Sequence, residues 1–267
     1  MNGTIKLSSP LTHEFWEIPV LFEDDNLLAL DKPSDLLTSP DRDEPTRPSL
    51  IQLLHAAIAD KKPWATERSL SYLMNAHRLE PETSGVLLLA KSKAILVALA
   101  NMFSSEKAIK SFTSLVHGNS AEDEFEVDAA IAPDTNRPGV MKVDTRAGKR
   151  ALTLFKVQER FSRWTLFKCT PLTPRTHQIR LHCRYKGHPI VGDTLYGGKP
   201  LWLSAIKPDY RLKPGKTERP LLSRVALHAE ELQLPHPTSG QPLKITAPWP
   251  KDLKVAVKYL RQYAATR

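Results

Sequence analysis

Three stretches of the chain repeat one pattern, an apolar run, a short polar turn and a second apolar run. They are PVLFEDDNLLALDKP (19–33), ALTLFKVQERFSRWTLFKCTPL (151–172) and ELQLPHPTSGQPLKITAP (231–248). Each reads as a β-hairpin, so neighbouring strands pair antiparallel, and strands do not alternate with helices as in a βαβ unit. The 22 prolines among 267 residues point the same way. Proline interrupts helices and suits strand ends and turns, which argues against a helical bundle. The expected class is α+β, with a mixed, mostly antiparallel β-sheet and flanking helices.

Helices are expected where polar caps precede apolar periodicity. Ser49 caps SLIQLLHAAIADKK, Ser92 caps KAILVALANMFSS, and Asp252 caps the closing LKVAVKYLRQY. RTHQIRLHCRYKG is expected to be a helix capped by Thr176 and stopped by Gly187, with His177, Arg180 and Arg184 on one face. GVLLLAKS, continuous and apolar, reads as a buried strand, and AIKSFTSLVHG as a strand ended by Gly118. Residues 1–18 are expected to be an extended leader, and 19–267 one catalytic domain with no small RNA-binding domain in front. Residues 199–220 form a long proline- and lysine-bearing insertion of the kind that is usually functional or disordered.

Charge is uneven. Residues 1–60 carry 4 Lys/Arg against 11 Asp/Glu, whereas 142–186 carry 12 against 2. A concentrated basic region suits phosphate contacts, although a solvated basic surface gives the same composition. Two cysteines, Cys169 and Cys183, cannot build a disulfide framework and indicate a reducing, cytoplasmic setting. No signal peptide or membrane span is legible, because Lys91 and Lys93 break the most apolar region. His177, His182, Cys183 and His188 cluster without metal-ligand spacing, so no metal is expected. Phosphate-loop, dinucleotide and serine-hydrolase motifs are missing.

The remaining candidate is AHRLEPETSGVLLLAKS (76–92), a loop with one cation and two carboxylates leading into an apolar strand. Taken alone it fits a structural turn better than a site, with Gly85 entering the strand at positive φ. The rest of the chain changes that balance. VLFEDDNLLALDKPSDLL, HRLEPETSGVLLLAK, KAIKSFTSLVHG, PRTHQIRLHCRYKGHPIVGDTLYGG and ALHAEELQLPHPTSGQPLKITAPWPKDL stand in the order of the blocks of one family. Over residues 19–260 the chain resembles the RluA-type RNA pseudouridine synthases, which act on large-subunit ribosomal RNA and tRNA.

The resemblance implies a sheet split by an RNA-holding cleft, no cofactor, and isomerisation of uridine after the base is flipped from its stack. It assigns Glu80 as the carboxylate at the sugar, Arg180 as that carboxylate's partner, and Phe112 as the aromatic face against the base. It assigns Arg78 to the space the base vacates; Lys91, Arg175, His177 and Arg184 are further expected RNA contacts. Glu80 stands where the family has aspartate, Phe112 where it usually has tyrosine, and Pro174 where it has glycine. The expected partner is structured rRNA or tRNA, and the chain is expected to act as a monomer. A second reading, prompted by Glu80, is a non-catalytic RNA-binding relative serving ribosome assembly or as an RNA chaperone.

Overall fold

The structure, a computed structural model, describes residues 3–213 and 215–266. In chain order the strands and helices are β1 (Thr4–Ser8), β2 (Phe15–Glu23), β3 (Leu27–Lys32), α1 (Leu50–Ala59), α2 (Pro63–Thr66), β4 (Met74–Asn75), β5 (Ser84–Ala90) and α3 (Lys93–Ser104). There follow β6 (Ile109–His117), β7 (Glu124–Asp128), β8 (Ile131–Pro133), β9 (Met141–Val143), β10 (Leu152–Phe161), β11 (Trp164–Pro171) and α4 (Gln178–Tyr185). β12 (Leu227–Pro235), β13 (Pro242–Thr246) and α5 (Lys251–Tyr263) complete the chain. The class is α+β, as the hairpin pattern requires. The described residues form two compact units, 3–110 with 229–248, and 111–228 with 249–266.

In the first unit the strand order is β1-β2-β3-β5-β12, with β4 against β5 and β13 against β12. The β1–β2, β2–β3, β3–β5 and β12–β13 pairs are antiparallel, with Thr4 opposite Pro19, Val20 opposite Leu30, Leu27 opposite Ala90 and Glu231 opposite Thr246. The expected leader is therefore part of the sheet: β1 alternates exposed and buried residues and turns Ile5 and Leu7 into the core. All seven residues of β5 are buried, which explains its unbroken apolar run. Leu27, Ala29, Val86 and Leu88 pack with Leu232, Leu234, Ile245 and the Ile95–Leu99 face of α3. Burying each such leucine or isoleucine contributes about 1.5–3 kcal/mol. Ser49 and Ser92 cap α1 and α3, accepting from the Gln52 and Ile95 amides at 3.4 and 3.3 Å.

In the second unit the order is β6-β11-β10-β7, antiparallel throughout, and β8 pairs with β9 in a separate hairpin. Phe155 and Phe125 stack at 4.9 Å, and Phe167 meets both edge-on at 5.5 and 5.7 Å. Such pairs add to area burial and hold β7, β10 and β11 in register.

Two expected caps differ. Thr176 does not cap α4; the N-cap is His177, in the left-handed region at φ 55° with no side-chain cap bond. The predicted face therefore breaks up, because His177 lies outside the helix, Arg180 is 2% exposed and Arg184 is exposed. Asp252 lies inside the first turn of α5 behind the N-cap Pro250, and its carboxylate accepts both Nε and Nη2 of Arg224 at 2.6 and 2.9 Å. A carboxylate there still favours the helix by facing the positive end of its dipole. The 199–220 insertion closes at a Leu201–Leu222 bridge and buries Ile206, and the Ser204 amide donates to Glu218 Oε1 at 2.8 Å.

Candidate active site

The loop His77–Gly85 is built on contacts within the first unit. Thr38 Oγ1 donates to the Leu79 carbonyl at 2.8 Å and accepts from the Leu79 amide at 3.2 Å. The Pro81 carbonyl accepts from the Asp35 amide at 2.7 Å and from Lys32 Nζ at 3.1 Å. Lys32 is fully buried, and its ammonium also donates to the carbonyls of Pro33 and Leu36 at 2.8 and 2.6 Å. The loop closes on itself where the Thr83 amide donates to the Glu80 carbonyl at 3.1 Å. Gly85 has φ 114°, and a Cβ there would lie 2.2 Å from the Ala229 carbonyl oxygen. Only glycine meets both demands.

Glu80 is half-buried, while Arg78 is exposed and has no carboxylate within ion-pair distance among the described residues. Between them Leu79 is buried and anchors the loop. His77 points inward instead. Its Nε2 accepts from the Leu88 amide of β5 at 3.1 Å, and its ring lies 5.1 Å from Phe103. Burial, then the nearby Lys110 charge, push its pKa down to about 3 against an opposing backbone bond at Arg78. The ring is therefore a neutral acceptor that satisfies a strand amide. Lys110 lies 5.6 Å over the Phe103 ring, and burial lowers its own pKa.

Lys91, expected at RNA, is spent within the fold. Its ammonium donates to Glu23 Oε1 at 2.9 Å and to the Asp24 carbonyl at 2.7 Å, beside an Arg68–Glu23 bond of 3.0 Å. Burial alone would raise the Glu23 pKa, but the bonds and charges of Lys91 and Arg68 outweigh it and hold it below the usual range.

In the second unit Phe112 lies on β6, 7% exposed, opposite Cys169 of β11. Arg180 is buried on α4, and its Nε and Nη2 both donate to Asp193 at 2.8 Å. Asp193 is 1% exposed, and the guanidinium also lies 5.1 Å over the Tyr196 ring. The Tyr196 hydroxyl accepts from the Met141 amide at 3.1 Å and lies 2.6 Å from His177 Nδ1. A bidentate carboxylate fixes the plane and direction of the guanidinium. Asp193 and Tyr196 were not singled out from the sequence. Their only signal there is their place in PIVGDTLYGG, which names residues without showing that they turn back onto α4.

The basic region is partly neutralised. Lys156, Arg160 and Lys186 pair with Glu124, Asp123 and Glu122, while Lys142 and Arg150 face Asp144 and Asp128 at 3.8 and 3.9 Å. Arg146, Lys149 and Arg175 have no carboxylate within ion-pair distance among the described residues. Arg175 Nε donates to the Arg150 carbonyl at 2.9 Å, which places it beside the 146–150 turn. Arg184 is exposed, its guanidinium close to Gly197.

The histidines near the thiols are committed elsewhere. His182 lies 2.9 Å from Thr153 Oγ1 and 3.0 Å from the Ala129 carbonyl, and burial lowers its pKa. Cys169 and Cys183 are buried free thiols, and burial followed by the contact with Cys183 raises the Cys169 pKa well above its ordinary value. Among the described residues no three His, Cys, Asp or Glu side chains converge as metal ligands, and no helix is long and apolar enough to cross a membrane.

Comparison with solved structures defines the class. Human RNA Pseudouridylate Synthase Domain Containing 4 superposes with a TM-score of 0.67 at 22% identity, over 91% of this chain and 92% of that one. Human RNA Pseudouridylate Synthase Domain Containing 1 does so with a TM-score of 0.63 at 24% identity, over 87% and 84%. The fold is that of the pseudouridylate synthases.

Sequence comparison then fixes the family. The chain belongs to the RNA pseudouridylate synthase family, whose profile matches residues 26–185. It is 34% identical to Ribosomal large subunit pseudouridine synthase C of Escherichia coli (strain K12) over 244 residues, 91% of this chain and 70% of that protein. It is also 34% identical to Ribosomal large subunit pseudouridine synthase D of Xanthomonas campestris pv. campestris over 253 residues, 92% of this chain and 70% of that one. The protein is an RNA pseudouridine synthase, an isomerase that converts uridine to pseudouridine in RNA.

Proposed function

We propose that this enzyme acts on structured ribosomal RNA in the cytoplasm as a monomer, with Glu80 as the reacting carboxylate. The relatives named for the large ribosomal subunit support the RNA class, and the two buried free thiols suit a reducing compartment. Isomerisation breaks the bond from C1′ to N1 of the uracil and forms one from C1′ to C5. The C5 proton leaves and N1 gains one, so composition is unchanged and no co-substrate is required. Glu80 attacks C1′ or stabilises its developing positive charge, as carboxylates do in sugar chemistry. Phe112 supplies a stacking face, worth about 1–3 kcal/mol per base, though it lacks a hydroxyl to exchange protons.

By the family's pattern Arg180 is assigned as the cationic partner of the reacting carboxylate, and exposed Arg78 enters the space the uridine leaves. Arg146, Lys149, Arg175 and Arg184 meet phosphate, since among the described residues no carboxylate lies within ion-pair distance of them. The observation that carries this reading is Arg180, a buried arginine whose Nε and Nη2 are locked by Asp193 and so oriented in advance. Nothing in the fold, the site or the relatives favours a non-catalytic RNA binder.

The test is tritium release from RNA labelled at uracil C5, with rRNA and tRNA pools as substrates. Wild-type protein is expected to release tritium from rRNA, and Glu80→Gln is expected to release none. Equal release by the two proteins removes Glu80 from the chemistry, and release from tRNA alone overturns the ribosomal assignment.

A further inference from the structure

We propose that Thr38 is a positioning residue for the reaction, its hydroxyl setting the main-chain position from which the Glu80 carboxylate reaches the sugar. The inference rests on Glu80 being the reacting carboxylate. One hydroxyl serves both polar groups of Leu79, the residue before Glu80, donating to the carbonyl at 2.8 Å and accepting from the amide at 3.2 Å. Thr38 is 3% exposed and Leu79 6%, so water does not replace these bonds. Thr38 is itself anchored, because the amides of Leu50 and Ile51 in the first turn of α1 donate to the carbonyls of Leu37 and Thr38 at 2.8 and 3.1 Å. Those amides have no partner inside the helix, and the Thr38 segment satisfies them.

On the far side of Glu80, the Pro81 carbonyl is held by the Asp35 amide and by Lys32. The chain is therefore fixed before and after residue 80, by a segment that leaves β3 and is locked to a helix end. The carboxylate's place is set by this backbone together with its own side-chain torsions. A glutamate has one more such torsion than an aspartate, so its reach depends on a backbone that does not move. Both main-chain polar groups of Leu79 depend on the one Thr38 hydroxyl, which makes it the sensitive point.

Thr38→Val keeps shape and removes both bonds, and Thr38→Ser keeps the hydroxyl. With tritium-labelled RNA at varied concentration, Thr38→Val is expected to lower kcat by about tenfold or more while KM changes less than about twofold, since a shift of about 1 Å costs on the order of 10²-fold. Thr38→Ser is expected to restore kcat to within about threefold of wild type, because its hydroxyl makes the same bonds. In a Glu80→Gln background, Thr38→Val is expected to cause no further loss.

Thr38→Val with wild-type kcat, beside an inactive Glu80→Gln, overturns the inference and leaves the function intact. A rise in KM at unchanged kcat overturns it too, by placing Thr38 in RNA binding. Should Thr38→Val not fold, Thr38→Ala and Thr38→Ser carry the comparison, and equal kcat in those two is the refuting result. A wild-type protein that releases no tritium from any RNA removes the function and the inference together.

Discussion

His77 ties the stability of the loop's foundation to pH. In the unfolded chain the imidazole titrates near its ordinary value of 6.5, whereas in the folded protein burial and Lys110 depress it to about 3. The sign follows from proton binding: between those values the unfolded state takes up a proton that the folded state refuses. The contribution is fully present above pH 6.5 and is lost as pH falls towards 3. Each pH unit within the window costs about 1.4 kcal/mol, so by pH 5 the loss reaches about 2 kcal/mol.

The control is His77→Gln, whose amide oxygen can accept from the Leu88 amide in place of Nε2 and does not titrate. Urea unfolding of both proteins at about pH 7.5 and pH 5 gives the difference directly. Wild type is expected to lose about 2 kcal/mol more than the variant over that interval. His117 and His182, also depressed by burial, are present in both proteins and cancel. Equal losses would show that His77 is charged in the folded state and that the inward-facing, neutral acceptor described above is wrong.

Gly85→Ala brings a Cβ within 2.2 Å of the Ala229 carbonyl at φ 114° and is expected to destabilise by more than about 3 kcal/mol; an unchanged melting temperature contradicts the close approach of β5 and β12. Asp193→Ala removes the bidentate partner of the buried Arg180 and is expected to cost about 3–5 kcal/mol in denaturant unfolding. Glu159→Ala removes an exposed bidentate bond to Arg261 and is expected to cost less than about 1 kcal/mol, so similar losses for the two would refute the burial argument. Iodoacetamide is expected to leave Cys169 and Cys183 unlabelled in the native protein and to label both in denaturant, because both thiols are buried and that of Cys169 resists ionisation. Labelling of the native protein by mass spectrometry would mean that α4 does not seal against β11.

Local chemistry determined what was legible without coordinates. Period-two apolar runs around polar turns specify antiparallel hairpins, and a serine before an apolar helical period specifies a cap, so β2–β3, β10–β11, β12–β13 and the starts of α1 and α3 followed from neighbouring residues alone. The ordered motif blocks carried the family, and with it Glu80, Phe112, Arg78 and Arg180 as the residues to test.

Long-range pairing decided the rest. No local rule shows that Asp193 turns back to lock Arg180, or that Glu23 consumes Lys91. The acids 122–124 neutralise Lys186, Arg160 and Lys156, residues 32–64 positions away, only because β7 lies against β10 and its loop reaches α4. Thr38 is an ordinary threonine in a polar loop until the fold lays it beside Leu79, 41 residues on. A side chain's chemistry belongs to its residue, but burial and partners, which set its charge state and direction, arise only when distant segments meet.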